Sequence, residues 1–356
     1  TRYSTAVKKG IPICTPPALY IVRRGAVLRL WPALIGLCKC FSHVLIVHMS
    51  DTEYPTAKVQ GKDVPYDPEQ LRKIREHPCY SEKACHAFGR CHLPVAPKCN
   101  IQCNYCIRDF DCVNESRPGV TSRVLSPEEA IDLVRKVVKK FSYVKVVGIA
   151  GPGEPLANEE TFETLRLLKP EFPNLIKCLS TNGLMLPASI DRLHEYGVGN
   201  LTVTLNAIDP AIGEQIYSWV EWDGEKLHGR EAAEKLLENQ LQGIAMAIER
   251  HMLVKINTVY IPGVNDEHIP EIAKRMGEMG VYTFNVIPLI PQYKFADITP
   301  PTMAEKRAMQ DRCEPFIRQM RHCQRCRADA IGLLGQDIQS CLYGEDMAKK
   351  VDKDKK

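Results

Sequence analysis

The chain has 356 residues, 44% hydrophobic and 25% charged, with a net charge of +4. That profile suits a globular protein with one substantial core. The surplus positive charge gathers near the ends, in "VKKG", "VRRG" and "KKVDKDKK", and no basic stripe interleaved with aromatics crosses the middle, which argues against a nucleic-acid surface.

Residues 1–48 differ from the rest. "GAVLRLWPALIGLCKCFSHVLIV" is apolar but broken by Arg29, Pro32, Lys39 and His43, so it makes a poor membrane span. No small-residue cleavage site follows it, and Met49 opens a different composition. These 48 residues are expected to be an upstream-translated or non-native leader, with no stable membrane association. Residues 49–90 then form an N-terminal extension, 91–320 a catalytic core, 321–345 a C-terminal ligand-bearing segment and 346–356 a charged tail.

From about residue 92 short β-branched runs alternate with longer amphipathic segments. "HLPVAPKC" is the first predicted strand. "SPEEAIDLVRKVVKKF" is a helix with Ser126 as N-cap, Pro127 in the first turn and Glu129 closing a capping box. Strand "VKVVGIA" and helix "EETFETLRLL" come next. They are followed by strand "LIKCLST" and helix "ASIDRLHEYG", whose Gly197 suits a C-terminal cap. Strand "NLTVTLNA" precedes the long helix "GREAAEKLLENQLQGIAMAIERH". "LVKINTVYI" pairs with "EHIPEIAKRMGEMG", and "VYTFNVIPLI" with "TMAEKRAMQDRCEPFIRQMR". Six β–α units in series predict a parallel sheet with right-handed crossovers. Chemistry-bearing residues recur after nearly every strand, which favours a partial (β/α)6 TIM-like barrel over an open doubly wound sheet.

Cysteine is the outlier, with 15 in the chain. A disulfide framework suits small secreted domains; clustering at ligand spacing suits metal sites in a reducing cytoplasm, the expected location. "CNIQCNYC" places Cys99, Cys103 and Cys106 in a C-x3-C-x2-C frame. Three thiolates can hold a [4Fe–4S] cluster with one iron open. An open iron can bind the amine and carboxylate of S-adenosylmethionine (SAM), and reduction then cleaves the sulfonium to a 5′-deoxyadenosyl radical. This spacing, with the aromatic Tyr105 just before the last cysteine, is the signature of the radical SAM superfamily.

In "GIAGPGEP", Gly151 and Gly153 let backbone approach a ligand and Glu154 can accept from an ammonium, although such a stretch is more often only a turn. In "NLTVTLNA", Thr202, Thr204 and Asn206 share one face at period two. In "VKINTVY", Ile256 and Thr258 share a face that could touch adenine; for Thr204 and Ile256 simple barrel filling is an equal reading. Cys313, Cys323 and Cys326 read as a second cluster site, with zinc the plainer alternative. Cys79, Cys112 and Cys178 stand singly and could complete a site with a histidine, His92 before His77.

"HPCYSEKACH", "VAPKCNIQCNYCIRDFDCVNESRPGV", "GIAGPGEPLAN", "STNG" and "HCQRCRADAIGLLGQD" closely resemble the NifB family of nitrogenase cofactor assembly, over about residues 75–345. The resemblance implies fusion of two [4Fe–4S] clusters into an eight-iron precursor, with an added sulfide and a carbide from a SAM methyl group. It implies Cys99, Cys103 and Cys106 for the SAM cluster, with Tyr105, Gly151, Gly153, Glu154, Thr204 and Ile256 around SAM. Cys79, His92, Cys112 and Cys178 would hold one substrate cluster, and Cys313, Cys323 and Cys326 the other. Glu115 would assist proton movement or cluster release; a surface ion pair is its plainer reading. The implied partners are Fe–S cluster donor proteins, an electron donor, and a carrier or scaffold such as NifX or NifEN, because the chain resembles the stand-alone form without a NifX-like domain. "CHAFGRCH" departs from the family by adding Cys85 and Cys91, either of which could compete as a ligand. A molybdopterin GTP-cyclase-like radical SAM enzyme and a non-catalytic Fe–S scaffold are the alternative readings.

Overall fold

The computed structural model describes residues 20–23, 26–29, 57–59, 62–109, 111–113, 121 and 123–338. Residues 1–53 form a unit by themselves, in which strands β1 (Tyr20–Arg23) and β2 (Ala26–Arg29) pair as an antiparallel hairpin. The rest of the proposed leader, Glu115 and the charged tail lie outside the described residues.

The second unit, residues 54–356, opens with the hairpin β3 (Ala57–Val59) and β4 (Lys62–Val64). Two helices follow that sequence reading missed, α1 (Pro68–Glu76) and α2 (Glu82–Ala87). Each starts on a side-chain cap: Asp67 closes a capping box with Gln70, and Ser81 accepts from the Ala84 N–H.

Six parallel strands then alternate with helices as predicted. They are β5 (Gly89–His92), β7 (Val144–Ile149), β8 (Ile176–Thr181), β9 (Val198–Thr204), β12 (Leu253–Tyr260) and β13 (Thr283–Pro288). Their helices are α3 (Pro127–Lys140), α4 (Glu159–Glu171), α5 (Leu186–Glu195), α7 (Gly229–Glu249), α8 (Ile269–Glu278) and α9 (Met303–Cys313). The strand order β13-β12-β9-β8-β7-β5 makes the partial (β/α)6 barrel. Ser126 and Glu129 form the expected capping box. Gly197 follows α5 at φ +79°, a left-handed conformation that a side chain would resist.

The first strand is a correction. It covers residues 89–92 rather than 92–99, because Pro94 and Pro97 lack the N–H groups a continuing ladder needs. The cysteine loop carries its own short strand, β6 (Ile101–Cys103). It pairs antiparallel with β10 (Tyr217–Trp222), which follows α6 (Pro210–Ile216) and turns through Asp223-Gly224 into β11 (Glu225–Leu227). Both turn residues have positive φ, as a two-residue hairpin loop requires.

An open barrel leaves two strand edges with unpaired backbone groups. The segment after α9 covers both. Phe284 N–H on β13 donates to Arg318 C=O, and Met320 N–H donates to Phe284 C=O. Further on, β14 (Ile331–Leu333) pairs antiparallel with β5 and hairpins back as β15 (Gln336–Asp337). This strap runs from the last barrel strand to the first and carries Cys323 and Cys326 between its two anchor points. The main core lies between barrel and helices, with Val147, Leu179, Leu201, Ile256, Phe284 and Ile272 among its fully buried members. Among the described residues, no helix is long and apolar enough to cross a membrane.

Candidate active site

Two cavities occupy the barrel interior. The first, about 240 Å³, is lined by Cys99, Cys103 and Cys106, by Gly153 and Glu154, and by Ser180, Asn182 and Thr204. All three cysteines of the C-x3-C-x2-C frame therefore face one volume. Cys99 comes from the loop after β5, Cys103 from the end of β6 and Cys106 from just past the turn that follows it, and the Gly-rich loop after β7 is clamped against the segment that leads into Cys99. Gly153 N–H donates to Ala96 C=O at 2.6 Å and Glu154 N–H to Lys98 C=O at 2.8 Å. A Cβ on Gly153 would lie 2.3 Å from Lys98 O, so only glycine fits there.

Glu154 is 4% exposed and already engaged: its Oε1 accepts from Thr181 Oγ1 and Leu156 N–H, and its Oε2 from Asn182 N–H. It thus ties the "GIAGPGEP" loop to the "STNG" loop after β8. Gly151 supports the same loop at φ +136°. Tyr105 lies behind the cysteines and lines neither cavity; the Asn206 amide donates to its hydroxyl at 2.6 Å and also to that of Tyr217.

The second cavity, about 50 Å³, is lined by Cys79, His92, Cys178, Cys323 and Cys326, with Arg90 and Lys255 among them. Ser180 lines both cavities. Along β9, Thr204 faces the first and Thr202 the second; along β8, Cys178 faces the second. Residues two apart on one strand face are roughly 6.6 Å apart, so the cavities stack along the barrel one side-chain layer from each other.

Most of the sequence-derived site residues assemble, but not all as expected. Cys112 lines the first cavity, away from Cys79, His92 and Cys178. Cys313 lines neither; it is wholly buried on α9 in the main core. Ile256 is a correction as well. On β12 the inward parity belongs to Lys255 and Asn257, which line the second cavity, and Ile256 stands opposite Val203 in the main core. Period two makes the two faces exclusive. Cys91 is likewise a core residue, on the face of β5 opposite Arg90 and His92, and Cys85 donates to Glu82 C=O on α2. Neither lines a cavity.

Other residues emerge only from the structure. Arg90 is 2% exposed and reaches Cys326 Sγ at 3.3 Å. Asp111 lines the first cavity, held through Oδ1 by Thr121, with burial raising its carboxyl. For Lys255 the sequence does carry a signal, a charge inside the apolar run "LVKINTVYI".

Among the described residues, no three His, Cys, Asp or Glu side chains converge on the position of one metal ion. The donors instead ring two volumes, an arrangement suited to bodies larger than an ion. Burial pushes the Cys99 thiol up to about 11, and raises Cys103, Cys106, Cys79 and Cys326 too. Such thiols become thiolates only when a metal centre supplies positive charge. His92 donates from Nδ1 to Arg327 C=O at 3.0 Å, which leaves its Nε2 lone pair available to a metal. Gly148 makes room beside that nitrogen, since a Cβ there would stand 3.2 Å from it.

The family model for the radical SAM superfamily matches residues 93–276. The "FeMo cofactor biosynthesis protein NifB" of Frankia alni is 48% identical over 76% of this chain, and the chain spans 55% of that protein's length. The protein of the same name from Methanocaldococcus jannaschii is 49% identical over 72% of this chain and 86% of its own length. The solved structure of a radical SAM methyltransferase from Sphaerobacter thermophilus superposes with a TM-score of 0.46 at 20% identity, covering 65% of this chain and 64% of that one. With three thiols facing one cavity and identity of this extent, the chain belongs to the radical SAM superfamily and, within it, to the NifB family.

Proposed function

We propose that this chain fuses two [4Fe–4S] substrate clusters, with an added sulfide and a carbide derived from a SAM methyl group, into an eight-iron precursor of the nitrogenase cofactor. The observation that carries the reading is the stacking of two cavities about Ser180, one faced by the C-x3-C-x2-C thiols and the other ringed by Cys79, His92, Cys178, Cys323 and Cys326.

Cys99, Cys103 and Cys106 would hold the SAM-binding [4Fe–4S] cluster, which when bound supplies reductive cleavage of the sulfonium. Gly153 brings backbone close to the same space, and Thr204 lines its inner wall. Cys79, His92 and Cys178, with Cys323 and Cys326 on the strap, would hold the substrate clusters. Cys112, at the wall of the first cavity, would contribute from that side. Mixed imidazole and thiolate ligation suits substrates that must be surrendered. Fe–S donor proteins, an electron donor and a cofactor carrier or scaffold in a reducing cytoplasm complete the scheme.

Anaerobic reconstitution with iron and sulfide, followed by SAM and dithionite, tests it. The expected products are 5′-deoxyadenosine, S-adenosylhomocysteine and an eight-iron species. Consumption of GTP would favour the cyclase-like alternative, and iron loading without SAM cleavage would favour the scaffold.

A further inference from the structure

Two histidines line the second cavity, and their hydrogen bonds set opposite tautomers. His92 donates from Nδ1 to a carbonyl, so its Nε2 carries a lone pair. His77 does the reverse. The Cys79 backbone N–H donates to His77 Nδ1 at 3.1 Å. Nδ1 is therefore the acceptor, and a neutral ring must carry its proton on Nε2. An imidazolium, with protons on both nitrogens, could not accept that bond, so the geometry itself requires the neutral ring. It is 3% exposed and stands edge-on to Tyr80, with ring centroids 4.7 Å apart.

His77 Nε2 is buried and has no hydrogen-bond partner among the described residues. Leaving a buried donor unpaired costs about 1–3 kcal/mol, so native sites give such groups an acceptor. His77 cannot bind a metal through Nε2 without moving its proton to Nδ1, which would break the bond from Cys79. Among the residues that line the same cavity are the thiols of Cys79, Cys178, Cys323 and Cys326 and the cations Arg90, Lys255 and Arg325, with no carboxylate beside them, a charge balance that favours an anionic occupant.

We propose that His77 is a positioning residue that donates an N–H···S hydrogen bond from Nε2 to a sulfide of the cluster held in the second cavity, and is not itself a ligand. The inference rests on the proposed reading of that cavity as a substrate-cluster site. One side chain then does two things: Nδ1 fixes the Cys79 backbone, and Nε2–H orients the cluster. Hydrogen bonds to cluster sulfur stabilise the reduced, more negative state, so the bond raises the reduction potential.

The test uses the full chain with Cys99, Cys103 and Cys106 all changed to Ala, which leaves only the substrate-cluster sites to load with iron and sulfide. His77→Phe should bind as much iron as the parent, lose an exchangeable-proton coupling in pulsed EPR between H2O and D2O, and shift the midpoint potential downward. His77→Gln, whose side-chain amide restores a donor, should keep the coupling and the parent potential. Disappearance of a nitrogen coupling, as expected for His92→Ala, would make His77 a ligand and overturn the proposal. So would an unchanged coupling and potential in His77→Phe. If His77→Phe fails to fold, 15N-histidine NMR of the unloaded parent decides: His77 should carry its proton on Nε2 and His92 on Nδ1, and the opposite tautomer at His77 overturns the proposal. A parent that binds no iron in the second cavity would overturn the functional reading instead, a result separable from the tautomer measurement.

Discussion

Arg90 Nε lies 3.3 Å from Cys326 Sγ, joining the first barrel strand to the strap that closes the barrel. The same guanidinium donates to Gly332 and Leu333 C=O at 2.7 Å and meets Asp337 at 2.5 Å. Burial raises the Cys326 thiol, and the Arg90 charge pulls it back toward the thiolate that a cluster needs.

Replacing Arg90 with Met should therefore act on fold and ligand together. Breaking a buried ion pair from one side costs about 3–5 kcal/mol. Thermal unfolding of the unloaded protein should show a lowered Tm, and iron bound after reconstitution should fall. A wild-type Tm would mean that the strap is held by its strand pairing alone.

Gly148→Ala should disturb His92 specifically. The new Cβ would lie 2.9 Å from His92 Cδ2, and overpacking of this kind costs about 1–3 kcal/mol. Nitrogen coupling to the cluster in the second cavity should weaken while SAM cleavage persists. Coupling of normal strength would place the ligating nitrogen elsewhere.

Cys103→Ala should abolish SAM cleavage and remove roughly one cluster's worth of iron, leaving the second cavity able to load. Its thiol lines only the first cavity. Complete loss of iron would show that the two cavities do not load independently.

Changing Cys323 and Cys326 together to Ser should give the complementary result, since both line only the second cavity. Iron should fall by roughly one cluster while reductive SAM cleavage survives. Stoichiometric zinc in the anaerobically purified parent, with unchanged iron in the double variant, would identify a structural zinc site instead.

Acid should destabilise the unloaded protein through His92. Burial lowers its pKa from 6.5 to about 4. Between those values the unfolded chain takes up a proton that the folded chain refuses. Stability from this group is full above pH 6.5 and is lost as pH falls toward 4, by about 3 kcal/mol at most. His77 acts in the same direction. Denaturant titrations from pH 4.5 to 7.5 should show this slope, and His92→Asn should reduce it to the part that His77 supplies.

The six β–α units, the capping box at Ser126 and Glu129, the Gly197 terminator and the C-x3-C-x2-C frame were all legible in the chain, because each depends on neighbours within a turn, a strand or a loop. The inward face of β9 was legible too, since Thr202 and Thr204 break an apolar run at period two. On β12 the same period sends Ile256 the other way: burying Lys255 against the helices would cost far more than turning it inward to face thiols, so Lys255 and Asn257 line the cavity and Ile256 enters the core.

The assignment of cysteines to cavities was beyond local reasoning. Cys79 comes before the barrel, Cys178 from its third strand, and Cys323 and Cys326 from the strap after its last helix, yet they line one cavity. Cys112 and Cys313, grouped with them by chemistry and proximity in the chain, lie elsewhere. Spacing determines which thiols can share a loop. Which distant thiols meet depends on the open barrel: its two unpaired edges need covering, and satisfying them draws the C-terminal strap across the interior. The tautomers of His77 and His92 belong to the same level, because each is dictated by the one backbone group its Nδ1 happens to meet in the folded chain.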